Sequence, residues 1–331
     1  MLRLTAAIAS TALASAAIAQ STPASASCSL SAADQAWLTQ TMAAWNYASS
    51  AISGIGRVKQ ITAVFFDDRC VVSSNTAMNG GPPAWTPRAF TGEVPMPNGE
   101  TTPAGVTSFA MGDEKTGENF FVMSTPSVWR AANKSENGLG SLELLMTAVV
   151  LHEATHVAQM PTYGSRIGRL VTANKLPEDF NDDTIQGRFE GKPEFKASVG
   201  RETDLLLAAA TARDRGEAVR LAREARALMK ARQQRWYAGP DAYLGEAEDV
   251  FLSLEGSAQW LAYQWLVDPK GGAVDPRAAF GSFGWRGRWW SQNQGFAAFM
   301  ALDRIGDRSW RRHAFGDGAK TVLQMIDEAI A

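Results

Sequence analysis

The chain has 331 residues, 45% of them hydrophobic and 20% charged, with a formal net charge of −2 at pH 7. That length suits one large domain or two small ones, and the near balance of charge excludes the basic stripe that a nucleic-acid-binding protein uses. Beyond the first residues no run approaches the roughly 18 uninterrupted apolar residues of a transmembrane helix, so no membrane span is expected.

Residues 1–19 read as a secretory signal peptide. Arg3 supplies the positive end, Leu4 to Ile18 are small and apolar, and Ala17-Ile18-Ala19 is an A-x-A cleavage site before Gln20. The expectation is an exported protein, periplasmic or secreted, of 312 residues, 331 minus 19. In such a compartment Cys28 and Cys70, the two cysteines, are expected to form one disulfide. A lipid-modified Cys28 fits less well, because Ser25-Ala26-Ser27 lacks the leucine of a lipoprotein cleavage site.

Residues 20–30 are small and polar and read as a linker. From Ser31 to Ser50 the spacing of Ala36, Trp37, Met42, Ala43, Trp45 and Tyr47 predicts an amphipathic helix entered through Ser31 and Asp34. Gln60 to Phe66 and Cys70 to Ser73 are β-rich runs around Asp67-Asp68-Arg69, a hairpin pattern. The Pro- and Gly-rich stretch from Asn79 to Gly105 is expected to be irregular, since Pro82, Pro83, Pro87, Pro95, Pro97 and Pro103 oppose regular pairing. A second hairpin is expected from Val106–Met111 and Asn119–Ser124, and a strand there could offer an edge to an extended peptide.

The stretch Ser141–Gln159, SLELLMTAVVLHEATHVAQ, carries the chemistry. Ser141 suits an N-cap, Glu143 suits the positive end of the helix dipole, and Pro161 is expected to stop the helix past Met160. Leu144, Leu145, Val149, Val150 and Leu151 leave little polar face, which implies a buried helix. His152 and His156 stand one turn apart on it with Glu153 beside them, the H-E-x-x-H arrangement. Two imidazoles aimed at one point suit a zinc ion, and the adjacent glutamate suits activation of water. An unpartnered set of buried polar groups would cost about 1 to 3 kcal/mol each, which a metal would relieve.

After a mixed region to Gly200, Glu202–Ala212 and Glu217–Trp236 read as an inserted antiparallel helix hairpin, about 200–236, joined around Asp214-Arg215-Gly216. Its arginines, Arg213, Arg215, Arg220, Arg223, Arg226, Arg232 and Arg235, are read as a solvated face. A long helix is expected from near Pro240-Asp241 to Leu266. The section with Trp285, Trp289, Trp290 and Trp310 is read as core-closing aromatics, followed by a last helix from about Gly318 to Ile330. The fold class is therefore α+β, predominantly helical: an N-terminal α+β region over 20–140 with two hairpins, and a helical region over 141–331 carrying the metal site.

A catalytic zinc needs three protein ligands and an open position. His313, the remaining histidine, sits among arginines and lacks the spacing of a third histidine, so the third ligand is sought among Glu246, Glu248, Asp249 and Glu255. Glu255 is preferred, because it stands in the apolar run Phe251-Leu252-Ser253-Leu254-Glu255-Gly256, where an uncompensated carboxylate is expensive. Gly256 and Ser257 are expected to leave room for the motif helix.

The pair HEATH and LEGSAQW resembles the H-E-x-x-H and E-G-x-A motifs of gluzincin-type zinc metallopeptidases, in particular exported bacterial peptidases, over residues 141–163 and 241–266. The resemblance implies a zincin-like core, zinc held by His152, His156 and Glu255, Glu153 as general base, and hydrolysis of a peptide or protein substrate. Two departures stand out: His156 and Glu255 are 99 residues apart, 255 minus 156, and Gln259 occupies the place where thermolysin-like members carry a histidine-orienting aspartate. Glu248, seven residues before Glu255, is the expected substitute for that partner. Tyr243, Tyr263 and His313 are candidate oxyanion donors. The alternative to a peptidase is a non-catalytic exported zinc-binding protein that binds a cell-wall component or a protein partner.

Overall fold

The computed structural model describes residues 2–4, 28–57, 61–74, 84–113, 116–135, 138–177, 179–282 and 289–331. Its strands are β1 Leu2–Leu4, β2 Thr62–Phe66, β3 Cys70–Ser74, β4 Trp85–Ala89, β5 Glu93–Pro95, β6 Thr101–Pro103, β7 Ser108–Gly112 and β8 Asn119–Ser124. Helices α1 Ala32–Tyr47 and α2 Pro126–Ala131 flank them. Among the described residues the regular elements after α2 are helices: α3 Leu142–Gln159, α4 Ser165–Asn174, α5 Asp182–Phe189, α6 Pro193–Ala210, α7 Arg215–Trp236, α8 Tyr243–Val267, α9 Pro276–Ser282, α10 Trp290–Ile305, α11 Trp310–Arg312 and α12 Val322–Ile330. The fold is thus α+β and predominantly helical. Of the expected signal peptide only Leu2–Leu4 fall among the described residues, and no helix among those residues is long and apolar enough to cross a membrane.

Strands run in the order β1-β7-β8-β2-β3-β4, antiparallel except for the parallel β2–β8 pair. Because side chains alternate across a pleated strand, Ala63, Phe65, Phe121 and Met123 join the large helical core, while Val64, Phe66, Phe120 and Val122 meet Val94 and Met96 on the opposite face. Burial on both faces explains why these strands read as continuous apolar runs. A disulfide joins Cys28 to Cys70 across 42 positions, tying the approach to α1 onto β3.

The proline-rich stretch is more regular than expected. Pro87 lies in β4 opposite Val72, and Pro95 and Pro103 pair in the small β5–β6 ribbon; Pro82 and Pro83 lie outside the described residues. All three strands are edges, where a missing N–H leaves no ladder bond broken. Pro161 likewise does not end the helical path. The chain passes through a wide turn over Met160–Gly164 and continues into α4, with the proline in the first turn of that segment, where its lost N–H is tolerated.

Ser141 caps α3 as its sequence suggests: the Leu144 N–H donates to its hydroxyl at 3.1 Å. On one side α3 packs against α1, where the Trp37 indole N–H donates to Thr147 Oγ1 at 3.2 Å and Thr41 and Thr147 share a hydrogen bond of 3.0 Å. On another it crosses α8, where Gln159 Nε2 donates to Ser257 Oγ at 2.8 Å and to the Ala314 carbonyl at 2.7 Å. Gly256 does not serve this crossing. It faces α10, where an added Cβ would lie 2.3 Å from the carbonyl carbon of Gly295. Small residues on both helices let the α8 and α10 backbones touch, and the motif helix meets Ser257 instead.

The α6–α7 hairpin is present, but its arginines are not one solvated face. Arg226 pairs with Asp327 at 2.9 Å, and Arg232 is fully buried, 2.9 Å from Glu202 and 2.9 Å from Glu248. Gln294 Nε2 of α10 also donates to Glu202 at 2.9 Å, so one guanidinium ties α6, α7, α8 and, through Glu202, α10. Removing one partner of such a buried set costs about 3–5 kcal/mol. The tryptophan-rich section contains α9 and α10. Trp290 stacks on Phe195 with centroids 5.6 Å apart and Trp310 packs edge-on to Trp260 at 4.9 Å, so both are packing residues; Trp285 lies outside the described residues.

Gly256→Ala is expected to lose at least about 2 kcal/mol of unfolding free energy in a urea titration, because α8 and α10 must separate to admit the methyl group. Gly245→Ala, which meets open space on the same helix, should stay within about 1 kcal/mol of the parent. Replacing Cys28 and Cys70 together by Ser removes a 42-position constraint and should cost about 4 kcal/mol in the same measurement.

Candidate metal centre

α3 and α8 bring together three residues from two distant parts of the chain. His152 and His156 face each other from successive turns of α3, Nε2 to Nε2 at 2.9 Å, with their rings perpendicular. The Glu255 carboxylate of α8 reaches both: Oε2 stands 3.4 Å from His152 Nε2 and Oε1 stands 3.3 Å from His156 Nε2. All three side chains are buried, and their candidate ligand atoms lie within 4.8 Å of one another. These three residues could hold a metal ion.

The donor set fits one. Ligand atoms on a tetrahedron with bonds of about 2.0–2.1 Å stand about 3.3 Å apart, close to the separations seen here. The two Nε2 atoms and the carboxylate oxygens converge on one point, and Glu255 Oε2 has no hydrogen-bond partner among the described residues. Burial pushes the Glu255 carboxyl up, but His156 and His152 outweigh it, and the net effect holds the group well below the usual carboxylate range. Two imidazoles and a carboxylate aimed at one point form a donor set that suits a cation.

Glu153 lies against this group but serves the sheet side. Its Oε1 accepts from the Ser108 hydroxyl at 2.7 Å, and its Oε2 has no hydrogen-bond partner among the described residues. Burial pushes its carboxyl up to about 7. His152, the Ser108 hydroxyl and the Ala110 backbone N–H pull it down, and the negative charge of Glu255 adds to the rise. Ser108 and Ala110 belong to β7, which packs on α3 and pairs on its far side with β1. Of the second hairpin, β8 is interior and β7 is the strand that reaches the site.

Glu248 does not orient a histidine. Its oxygens accept from Arg232 Nη1 at 2.9 Å, Gln233 Nε2 at 2.9 Å and the Tyr237 hydroxyl at 3.1 Å, and both histidine Nδ1 atoms lack a hydrogen-bond partner among the described residues. Sharing a helix face with Glu255 is not enough, since seven residues advance a helix by about 10 Å. The other acids of α8 are also engaged elsewhere. Glu246 lies 3.7 Å from Arg166, and Asp249 accepts from Thr321 Oγ1 at 2.6 Å at the start of α12.

The three oxyanion candidates are dispersed. Tyr243 stands twelve residues before Glu255, about 18 Å along the helix, with its ring 6.0 Å from Phe180. Tyr263 lies about 12 Å beyond Glu255 by the same rise and packs on Phe296 at 5.4 Å. His313 Nδ1 pairs with Asp317 at 3.0 Å. The residues that sequence reading misses are Ser108 and Gln159. Each is an ordinary polar residue in an apolar stretch, and only the packing gives it a role. No known protein family, curated protein or solved structure matches the chain.

Metal titration of the chelator-treated protein should show one divalent ion per chain. At a free metal concentration of about 100 times Kd the stability should rise by about 2.7 kcal/mol. Glu255→Gln or His152→Ala should abolish both the binding and the rise, while Glu248→Gln should leave metal affinity within about threefold, a limit set by its distance from the ligands.

Proposed function

We propose that this chain is an exported zinc-dependent peptide hydrolase with a gluzincin-like site built on a zincin-like core. The observation that carries the reading is the convergence of His152, His156 and Glu255 with Glu153 buried beside them and held by Ser108. Three protein ligands leave a fourth position for water, which a closed structural site lacks, and this weighs against a non-catalytic zinc-binding protein. Export to the periplasm or beyond is supported by the Cys28–Cys70 disulfide, a bond that persists in oxidising compartments.

Zinc held by His152, His156 and Glu255 would supply Lewis-acid chemistry, lowering the pKa of water to about 7 and polarising a carbonyl. The chain's own residues handle the proton. Glu153, buried beside the three ligands, takes a proton from the attacking water and returns it to the leaving amine. Ser108 fixes the Glu153 carboxylate by donating to Oε1, which leaves Oε2 for the proton transfer. β7 lies alongside and positions both groups through its backbone.

Glu153→Gln should retain metal affinity and lose at least about 100-fold in kcat on a mixed peptide library. Ser108→Ala should bind metal equally and lose about 10-fold in kcat, the worth of one hydrogen bond to a charged group. Full activity in the Glu153→Gln protein would show that the reading is wrong.

A further inference from the structure

The sheet ends differently on its two sides. On one side the edge is β4, which contains Pro87 and Arg88. On the other stands β7, whose sequence Ser-Phe-Ala-Met-Gly has neither proline nor charge. Proteins blunt an exposed edge with those two devices or else cover it, because a bare row of N–H and C=O groups recruits another strand. Here β7 is covered. β1, Leu2–Leu4 from the N-terminal end of the chain, adds to it antiparallel, with Leu2 opposite Gly112, Arg3 opposite Met111 and Leu4 opposite Ala110.

The covered strand is the one that reaches the metal centre. Ser108 Oγ donates to Glu153 at 2.7 Å, and the Ala110 backbone N–H also bonds to that carboxylate. β1 therefore runs from Gly112 towards the end of β7 that holds Glu153, and Leu4 stands one strand spacing, about 5 Å, from a residue bonded to it. The other two walls, α3 and α8, use their backbone groups within their own helices. Among the described elements at the centre, β7 is thus the one that can hydrogen-bond an extended chain along its length. An extended peptide and β1 compete for the same row of groups.

We propose that the N-terminal segment is an intramolecular occupant of the β7 edge, which keeps any other extended polypeptide away from the metal centre for as long as that segment stays attached. Residues 2–4 lie within the stretch that reads as a signal peptide, so cleavage after Ala19 removes the occupant and bares the edge. Loss of the leader and opening of the site are thereby one event. A strand on the same chain acts at an effective concentration on the order of millimolar, so a short pairing can hold the edge where a free tripeptide would not. The occupancy rests on strand pairing alone; its meaning as inhibition rests on the peptide-hydrolysis reading.

The test uses the full 331-residue chain, produced without export so that residues 1–19 stay attached, and oxidised to form the Cys28–Cys70 bond. Adjacent residues of an antiparallel strand turn their N–H groups to opposite sides, so Arg3→Pro with Leu4→Pro removes the donor to β7 whichever of the two it is. In this variant the β7 amides that face β1 should exchange with deuterium at least about tenfold faster than in the parent. A labelled peptide of residues 1–8, MLRLTAAI, should bind the variant at least about tenfold more tightly than the parent, whose edge is already taken. For any peptide that is cleaved, KM should fall by a similar factor in the variant with kcat unchanged, because the occupant competes with substrate and leaves the chemistry alone. Exchange and peptide binding that change as stated in a protein that cleaves nothing would uphold the occupancy and remove the hydrolase reading. Equal exchange, equal binding of the labelled peptide by the two proteins, or an unmoved KM for a cleaved peptide would overturn the proposal.

Discussion

The crossing of α3 over α8 is the contact on which the rest of the structure depends, because it sets one buried carboxylate against two buried imidazoles. Neither helix could bury these groups alone. On α3, His152 and His156 would present two ring nitrogens to an apolar neighbour, and on α8, Glu255 would be an unpaired anion. The crossing is also fixed by a polar pin, Gln159 to Ser257 and to the Ala314 carbonyl. On the far side of α8 the Gly256–Gly295 approach fixes its depth, and the guanidinium of Arg232 ties it to the inserted hairpin. The ligand helix is therefore clamped from three directions, and the metal-binding geometry follows from those clamps.

Buried charge gives the region its character. Glu153, Glu202, Glu248, Glu255 and Asp182 are all buried along the α3, α5, α6 and α8 faces, and Arg232 is the guanidinium set among them. A divalent ion at His152, His156 and Glu255 would offset much of this excess, and it would favour the ionised form of its neighbours. The same imbalance explains how two carboxylates on adjacent elements can behave oppositely. Glu255, facing two imidazoles, is held ionised, whereas Glu153, facing a hydroxyl and a strand, is lifted towards neutrality. Environment alone separates the two carboxylates.

Much of this was legible in the sequence wherever the signal was local. Ser141 as cap, the four-residue spacing of His152 and His156, and the two hairpins of the first half are patterns of neighbouring residues, and the structure contains each of them. Glu255 was legible for a different reason: an acid in an apolar run needs a partner. The same argument points equally to Arg232, but its arginine-rich surroundings read as a solvated face and hid it. Gly256 was legible as a close approach but not as an approach to α10, because a small residue does not say which neighbour it admits. The β4–β6 prolines read as breakers, since sequence does not reveal which strands end up at an edge. Ser108 carried no signal, as its significance lies wholly in what the fold sets beside it.

Two imidazoles and one carboxylate are placed where they could hold a metal ion, and the proposed hydrolysis needs a further position left open. X-ray absorption at the zinc edge of the reconstituted protein reads that coordination directly. The account predicts two imidazole nitrogens and one carboxylate oxygen from the chain, with a fourth light ligand that exchanges for an added hydroxamate or other small chelating anion. A shell closed by four protein ligands, or a spectrum unchanged by the Glu255→Gln substitution, would contradict it.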